Sequence, residues 1–75
     1  MVVLQEESER SIQALAQKQR EVLKYLSFGF QNKEIARQMG LSVSTIKLHV
    51  SAMMHRLDVK TRTAAVVKAQ KLGLI

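Results

Sequence analysis

Between Asn32 and Ser51 the chain reads NKEIARQMGLSVSTIKLHVS, two short amphipathic segments hinged on a single glycine. Three positions in it leave few ways to fold. Ala36 is small enough to let two helices cross closely. Gly40 can take the left-handed conformation that ends a helix at no Cβ penalty. Ile46 falls where the second helix must bury a branched side chain against the first. The remaining residues are read around that pair.

Seventy-five residues make one domain, with a core close to the lower limit for independent folding. From Gln17 to Phe28, Val22, Leu23 and Leu26 share one side while Lys18, Arg20 and Lys24 lie elsewhere, which predicts a first helix stopped by Gly29. Asn32 is expected to cap a second, short helix through its amide oxygen, with Ile35, Ala36 and Met39 inward and Gly40 at its end. Ser42 caps a third, from about Val43 to Leu57. Asp58-Val59-Lys60 breaks it, and Thr61 caps a fourth that ends near Leu72 with Gly73 just beyond. Proline is absent, so every boundary is written with a glycine or an oxygen-bearing cap. Ala65, Ala69 and Leu72 cluster on one side of the fourth helix and are expected to dock on the first three. The fold class is all-α: a four-helix domain over residues 12–75, its helix-turn-helix unit at 32–51, with residues 1–11 as a tail or linker.

On the third helix Ile46, Val50, Met53 and Leu57 fall within about 60° of one another, a buried stripe. The opposite arc holds Ser44, Lys47, Leu48, Ser51 and His55. From Val43 to Leu57 there is no Asp or Glu at all. A helix meant for water usually mixes both signs of charge, whereas phosphate repels carboxylates. Leu48 points almost directly away from the stripe, where an apolar tip can meet a thymine methyl, and Lys47 can donate to guanine or to a phosphate. Ser51 reaches a base edge or its phosphate. Thr45 and His49, on the flank, suit the DNA backbone better than base reading, and for His49 a packing role is the even alternative. At the start of the second helix, Asn32, Lys33 and the free N–H groups offer an anion clamp.

Charge points the same way. Residues 1–10 carry Glu6, Glu7, Glu9 and Arg10, a net of −2, while residues 11–75 carry eleven basic side chains against Glu21, Glu34 and Asp58, a net of +8. An acidic head on a basic domain suggests a polyanionic partner for the domain alone. Several classes fall away. The chain has no cysteine nucleophile, no glycine-rich phosphate loop and no carboxylates clustered with a histidine, so no enzyme is expected. His49 and His55, six apart, do not share a helix face, so no metal or other cofactor is expected. No apolar run approaches the ~20 residues that span a bilayer, and MVVLQEESER has no signal-peptide pattern, which makes a cytoplasmic protein the expectation.

From Leu15 to Ile75 the chain resembles the LuxR-type (GerE-type) helix-turn-helix domain of bacterial transcription regulators. The resemblance rests on Arg20-Glu21-Val22-Leu23, Gly29, Asn32-Lys33-Glu34-Ile35-Ala36, Ser42, Ser44-Thr45-Ile46-Lys47 and His49. It continues through Leu57, Val59, Arg62, Ala65-Val66 and Gly73-Leu74-Ile75. It implies a four-helix domain that binds double-stranded DNA as a homodimer, the third helix in the major groove and the fourth at the dimer contact. On that fourth helix Val67 lies far outside the docking arc with Lys68, Gln70 and Lys71 around it. Val67, Lys68 and Lys71 are therefore the candidate dimer residues, with a contact weak in the absence of DNA. The front departs from the family pattern. Leu15-Ala16-Gln17-Lys18-Gln19 stands where Leu-Thr-x-Arg-Glu is usual, so Ala16 brings no capping oxygen, at a cost of roughly 1 kcal/mol. Family members usually carry an N-terminal sensory domain, which leaves this chain as either an effector domain or a stand-alone regulator.

A rival reading uses the same surfaces as a protein-interaction module for RNA polymerase or a regulatory partner. An anchor for a protein groove normally shows apolar residues at i, i+3, i+4 and i+7, and the outer arc of the third helix shows one.

Overall fold

The computed structural model describes residues 17–75. The expected tail at 1–11 and the uncapped Ala16 lie outside them. Among the described residues there are four helices and no strand: α1 (Gln17–Ser27), α2 (Asn32–Met39), α3 (Val43–Leu57) and α4 (Arg62–Lys71). Ser42 and Thr61 cap as their hydroxyls suggest, Ser42 Oγ accepting from the Thr45 N–H at 3.1 Å and Thr61 Oγ1 from the Ala64 N–H at 3.0 Å. Asn32 does not cap. Gln31, with extended backbone, occupies that position, and Glu34 Oε1 reaches back to its N–H at 3.4 Å. Asn32 is already helical, and its side-chain oxygen is taken by Arg62 instead.

All four helices end in one way. The residue after the terminal turn has a positive φ, and the next residue folds back to donate its N–H to the carbonyl five positions earlier: Phe30 to Tyr25, Leu41 to Ala36, Val59 to Met54, Leu74 to Ala69, at 2.9–3.1 Å. This is the Schellman arrangement, which satisfies orphan carbonyls and sets an apolar residue against the last turn. Phe30, Leu41, Val59 and Leu74 are each half-buried against the core. Three of the positive-φ positions are glycine; the fourth is Asp58, at φ 56°.

This termination corrects one expectation about packing. Ala65 and Ala69 are fully buried, but Leu72 is 44% exposed. Leu72 lies past the last turn of α4, and the reversal at Gly73 brings Leu74 onto the core in its place. Phe28 likewise stands outside α1 and is exposed.

α3 packs against each of the other three helices. Its stripe of Ile46, Val50, Met53 and Leu57 is buried, meeting Val22, Leu23 and Leu26 of α1, Ile35 and Ala36 of α2, and the two alanines of α4 in one cluster. Gln19 is the buried polar residue among them, and no buried side-chain nitrogen or oxygen of the described residues lacks a partner. A neutral amide there avoids the desolvation cost of a carboxylate. With one face clamped by three helices, α3 presents the opposite face on a rigid base.

Candidate nucleic-acid interface

The four residues expected to face bases all stand outward on α3. Ser44, Lys47 and Ser51 are exposed, and Leu48 is 70% exposed, the most open large apolar side chain among the described residues. His55 is exposed one turn beyond Ser51, and Val43 opens at the N-terminal end of the same helix. No carboxylate interrupts this surface until Asp58. Thr45 and His49 are half-buried on the flank. The Thr45 hydroxyl lies 2.9 Å from Ser42 Oγ, so its local role is to tighten the cap that starts α3.

At the start of α2, Lys33 is exposed and Asn32 half-buried. The helix dipole puts partial positive charge at this end, so a lysine here is electrostatically unfavourable until an anion arrives. Many of the other basic residues have an internal explanation. Lys24, Arg37, Arg56, Lys68 and Lys71 stand in the last turns of their helices, where cations complement the dipole. Lys33, at the start of α2, and Lys47, within α3, have no such dipole role, and both are exposed.

Arg62, which the sequence offered only as a match to the family pattern, ties the elements around this surface together. Its guanidinium donates to Asn32 Oδ1 at 2.9 Å and to the Phe30 carbonyl at 3.0 Å, pinning the start of α2 to the start of α4. Beyond that match, the sequence signals it as a basic residue at a helix start, where the dipole disfavours it. Its two acceptors, thirty and thirty-two positions away, emerge only from the fold.

Of the candidate dimer residues, Val67 is 43% exposed and Lys71 is exposed. Lys68 departs from its expected place. It is half-buried, and its ammonium donates to the Leu57 carbonyl, closing an orphan acceptor at the C-terminus of α3. It ties α4 to α3 before it can serve any partner. Val67 borders a pocket of 310 Å³ with Phe30, Thr63 and Val66.

A short helix, a three-residue turn and a longer helix with an exposed acid-free face define a helix-turn-helix domain. Residues 13–69 match the family model of bacterial regulatory proteins of the luxR family. The chain belongs to that family, and it is a DNA-binding, non-catalytic domain of the kind found in its transcription regulators. It is 41% identical over 56 residues to the HTH-type transcriptional regulator YhjB of Escherichia coli K12, covering 75% of this chain and 28% of that protein. It is 37% identical over 60 residues to the nitrate/nitrite response regulator NarL of the same strain, covering 80% of this chain and 28% of NarL. Against the response regulator VraR of Staphylococcus aureus NCTC 8325 the identity is 36% over 61 residues, 81% of this chain and 29% of VraR. The chain thus spans under a third of the length of these curated relatives.

Proposed function

We propose that residues 12–75 read a specific double-stranded DNA sequence by laying α3 in the major groove, binding as a dimer on two half-sites to regulate transcription in the bacterial cytoplasm. The observation that carries this is the outer face of α3. It is rigidly backed, free of carboxylates from Val43 to Leu57, and centred on an exposed Leu48 beside Lys47. Ser44, Lys47, Leu48 and Ser51 are the base-facing set. Asn32, Lys33, Thr45, His49 and His55 lie around it toward the phosphates, which fix register and carry little sequence information. Residues 1–11 serve as the tail or linker. RNA polymerase is a further candidate partner in the same role. The rival protein-groove reading gains nothing from the fold, because Leu48 and Val43, five apart, do not form an anchor stripe along α3.

The test is a gel shift repeated across salt concentrations. Log K is expected to fall linearly with log salt, with a slope of about −0.9 for each phosphate neutralised. Lys33→Ala is expected to weaken binding to all sequences alike and to flatten that slope by about one unit. Affinity indifferent to salt would overturn the reading.

A further inference from the structure

Leu48 stands alone on the outer face of α3 because of what surrounds it. On a helix a side chain is flanked by the residues three and four positions before and after it. For Leu48 these are Ser44, Thr45, Ser51 and Ala52, and none reaches as far from the helix axis as a leucine. The leucine therefore projects as a single apolar knob, 70% exposed, from a ring of small residues. The ring has two different sides. Ser44 and Ser51 lie about 40–60° round the helix in one direction, Thr45 and Ala52 about as far in the other, and Lys47 lies about 100° away beyond the serines. The Thr45 hydroxyl is taken up by the α3 cap, 2.9 Å from Ser42 Oγ. The two exposed serine hydroxyls are thus the polar groups beside the knob.

We infer, on the placement of α3 in the major groove proposed above, that this knob is a subsite for the C5-methyl group of a pyrimidine and accepts 5-methylcytosine as well as thymine. In the major groove thymine shows its methyl beside the O4 acceptor, whereas cytosine shows a bare C5 beside the N4 donor. A cytosine methylated at C5 combines the methyl of the one with the donor of the other. Leucine forms no side-chain hydrogen bond, so it responds to the methyl alone. A serine hydroxyl both donates and accepts, so Ser44 and Ser51 can satisfy O4 or the N4 amine by rotating. A donor-only ammonium beside the knob would favour thymine, but Lys47 lies on a different arc of the helix. The knob and its ring therefore separate methylated from unmethylated pyrimidines and do not separate thymine from 5-methylcytosine. Methylation of an operator cytosine becomes an input that the domain registers as a gained apolar contact.

The test uses the full chain and a duplex selected from random sequences by gel shift. Each thymine of the selected half-site is replaced by uracil, which removes the methyl and keeps O4. Each T·A pair is also replaced by C·G and by 5-methylcytosine·G, which differ from one another by the methyl alone. At one position of the half-site, uracil is expected to bind about fourfold more weakly than thymine, the worth of burying one methyl-sized group. At the same position 5-methylcytosine is expected to bind about fourfold more tightly than cytosine. Leu48→Ala erases both differences, and Leu48→Met, which keeps an apolar side chain of similar reach, retains them, with thermal melts reporting that both variants fold. A selected site with no uracil-sensitive thymine overturns the inference while sequence-specific binding stands. So do differences that survive Leu48→Ala, or a 5-methylcytosine no better than cytosine at the sensitive position. A selection that yields no preferred sequence overturns the placement of α3 itself, and this inference with it.

Discussion

At the scale of single residues, exposure separates reading from holding. Lys47 and Leu48 contribute nothing to the core, so their removal is expected to leave thermal stability unchanged. Lys47→Ala or Leu48→Ala should cost about 1–3 kcal/mol at the preferred site and much less on random DNA. Competition gel shifts on the two DNAs check this, and equal losses on both demote the pair to backbone contacts. Arg62 has the opposite signature. Arg62→Ala leaves the Phe30 carbonyl and Asn32 Oδ1 without their shared donor, which should cost about 1–3 kcal/mol of stability. It should also weaken DNA binding at temperatures where the domain stays folded, because the start of α2, with Lys33, loses its tie to α4. Arg62→Lys is not expected to rescue either effect, since an ammonium lacks the planar fork that serves both acceptors. Full rescue by lysine, read by thermal melts and gel shifts together, would show that charge alone is what matters there.

At the scale of elements, the helices were legible because period and punctuation agree. The α3 stripe of Ile46, Val50, Met53 and Leu57 repeats at helical spacing, and Ser42 and Thr61 stand where their oxygens can cap. What the sequence concealed lay at element ends. Asn32 is a better intrinsic cap than Gln31, but the long-range bond from Arg62 takes its oxygen, and no local pattern reveals a partner thirty residues away. Leu72 fits the α4 docking arc only if the helix continues through it; the reversal at Gly73 hands that role to Leu74. Asp58 is the informative exception in the shared termination. It adopts the left-handed conformation that the glycines adopt elsewhere, and it places a carboxylate at the negative end of the α3 dipole. Asp58→Gly relieves both penalties and is expected to stabilise the domain by about 1 kcal/mol, raising Tm by about 4–8 °C. Asp58→Ala keeps the steric penalty and should fall short of the glycine variant. Calorimetry on the three proteins ranks them, and a glycine variant no more stable than the parent would show that the Asp58 side chain is engaged where it stands.

At the scale of the whole molecule, the proposed DNA face lies on α3, and the surface proposed to pair two copies is a separate question. The candidate site read from sequence placed Val67 at that surface, and the fold leaves it 43% exposed at mid-α4. Lys68 is spent on the Leu57 carbonyl, so Lys71 is the lysine of the candidate set left exposed near the pairing surface. A contact centred on one valine and its pocket neighbours is too small to hold two domains together in free solution. Two half-sites about one helical turn apart raise the effective concentration of each domain for the other, and the weak contact then suffices. Val67→Glu is therefore expected to leave folding and single-half-site binding intact while abolishing cooperative binding to a two-half-site operator. Val67→Lys should do the same, which separates loss of an apolar contact from a simple change in attraction to DNA. Lys68→Ala provides the contrast: it should lower thermal stability by removing the cap on Leu57, and lower affinity on one and two half-sites in equal proportion. Sedimentation without DNA is expected to show monomers for all of these variants and for the parent. Cooperativity that survives in both Val67 variants would move the pairing surface off α4 and onto chain outside residues 17–75.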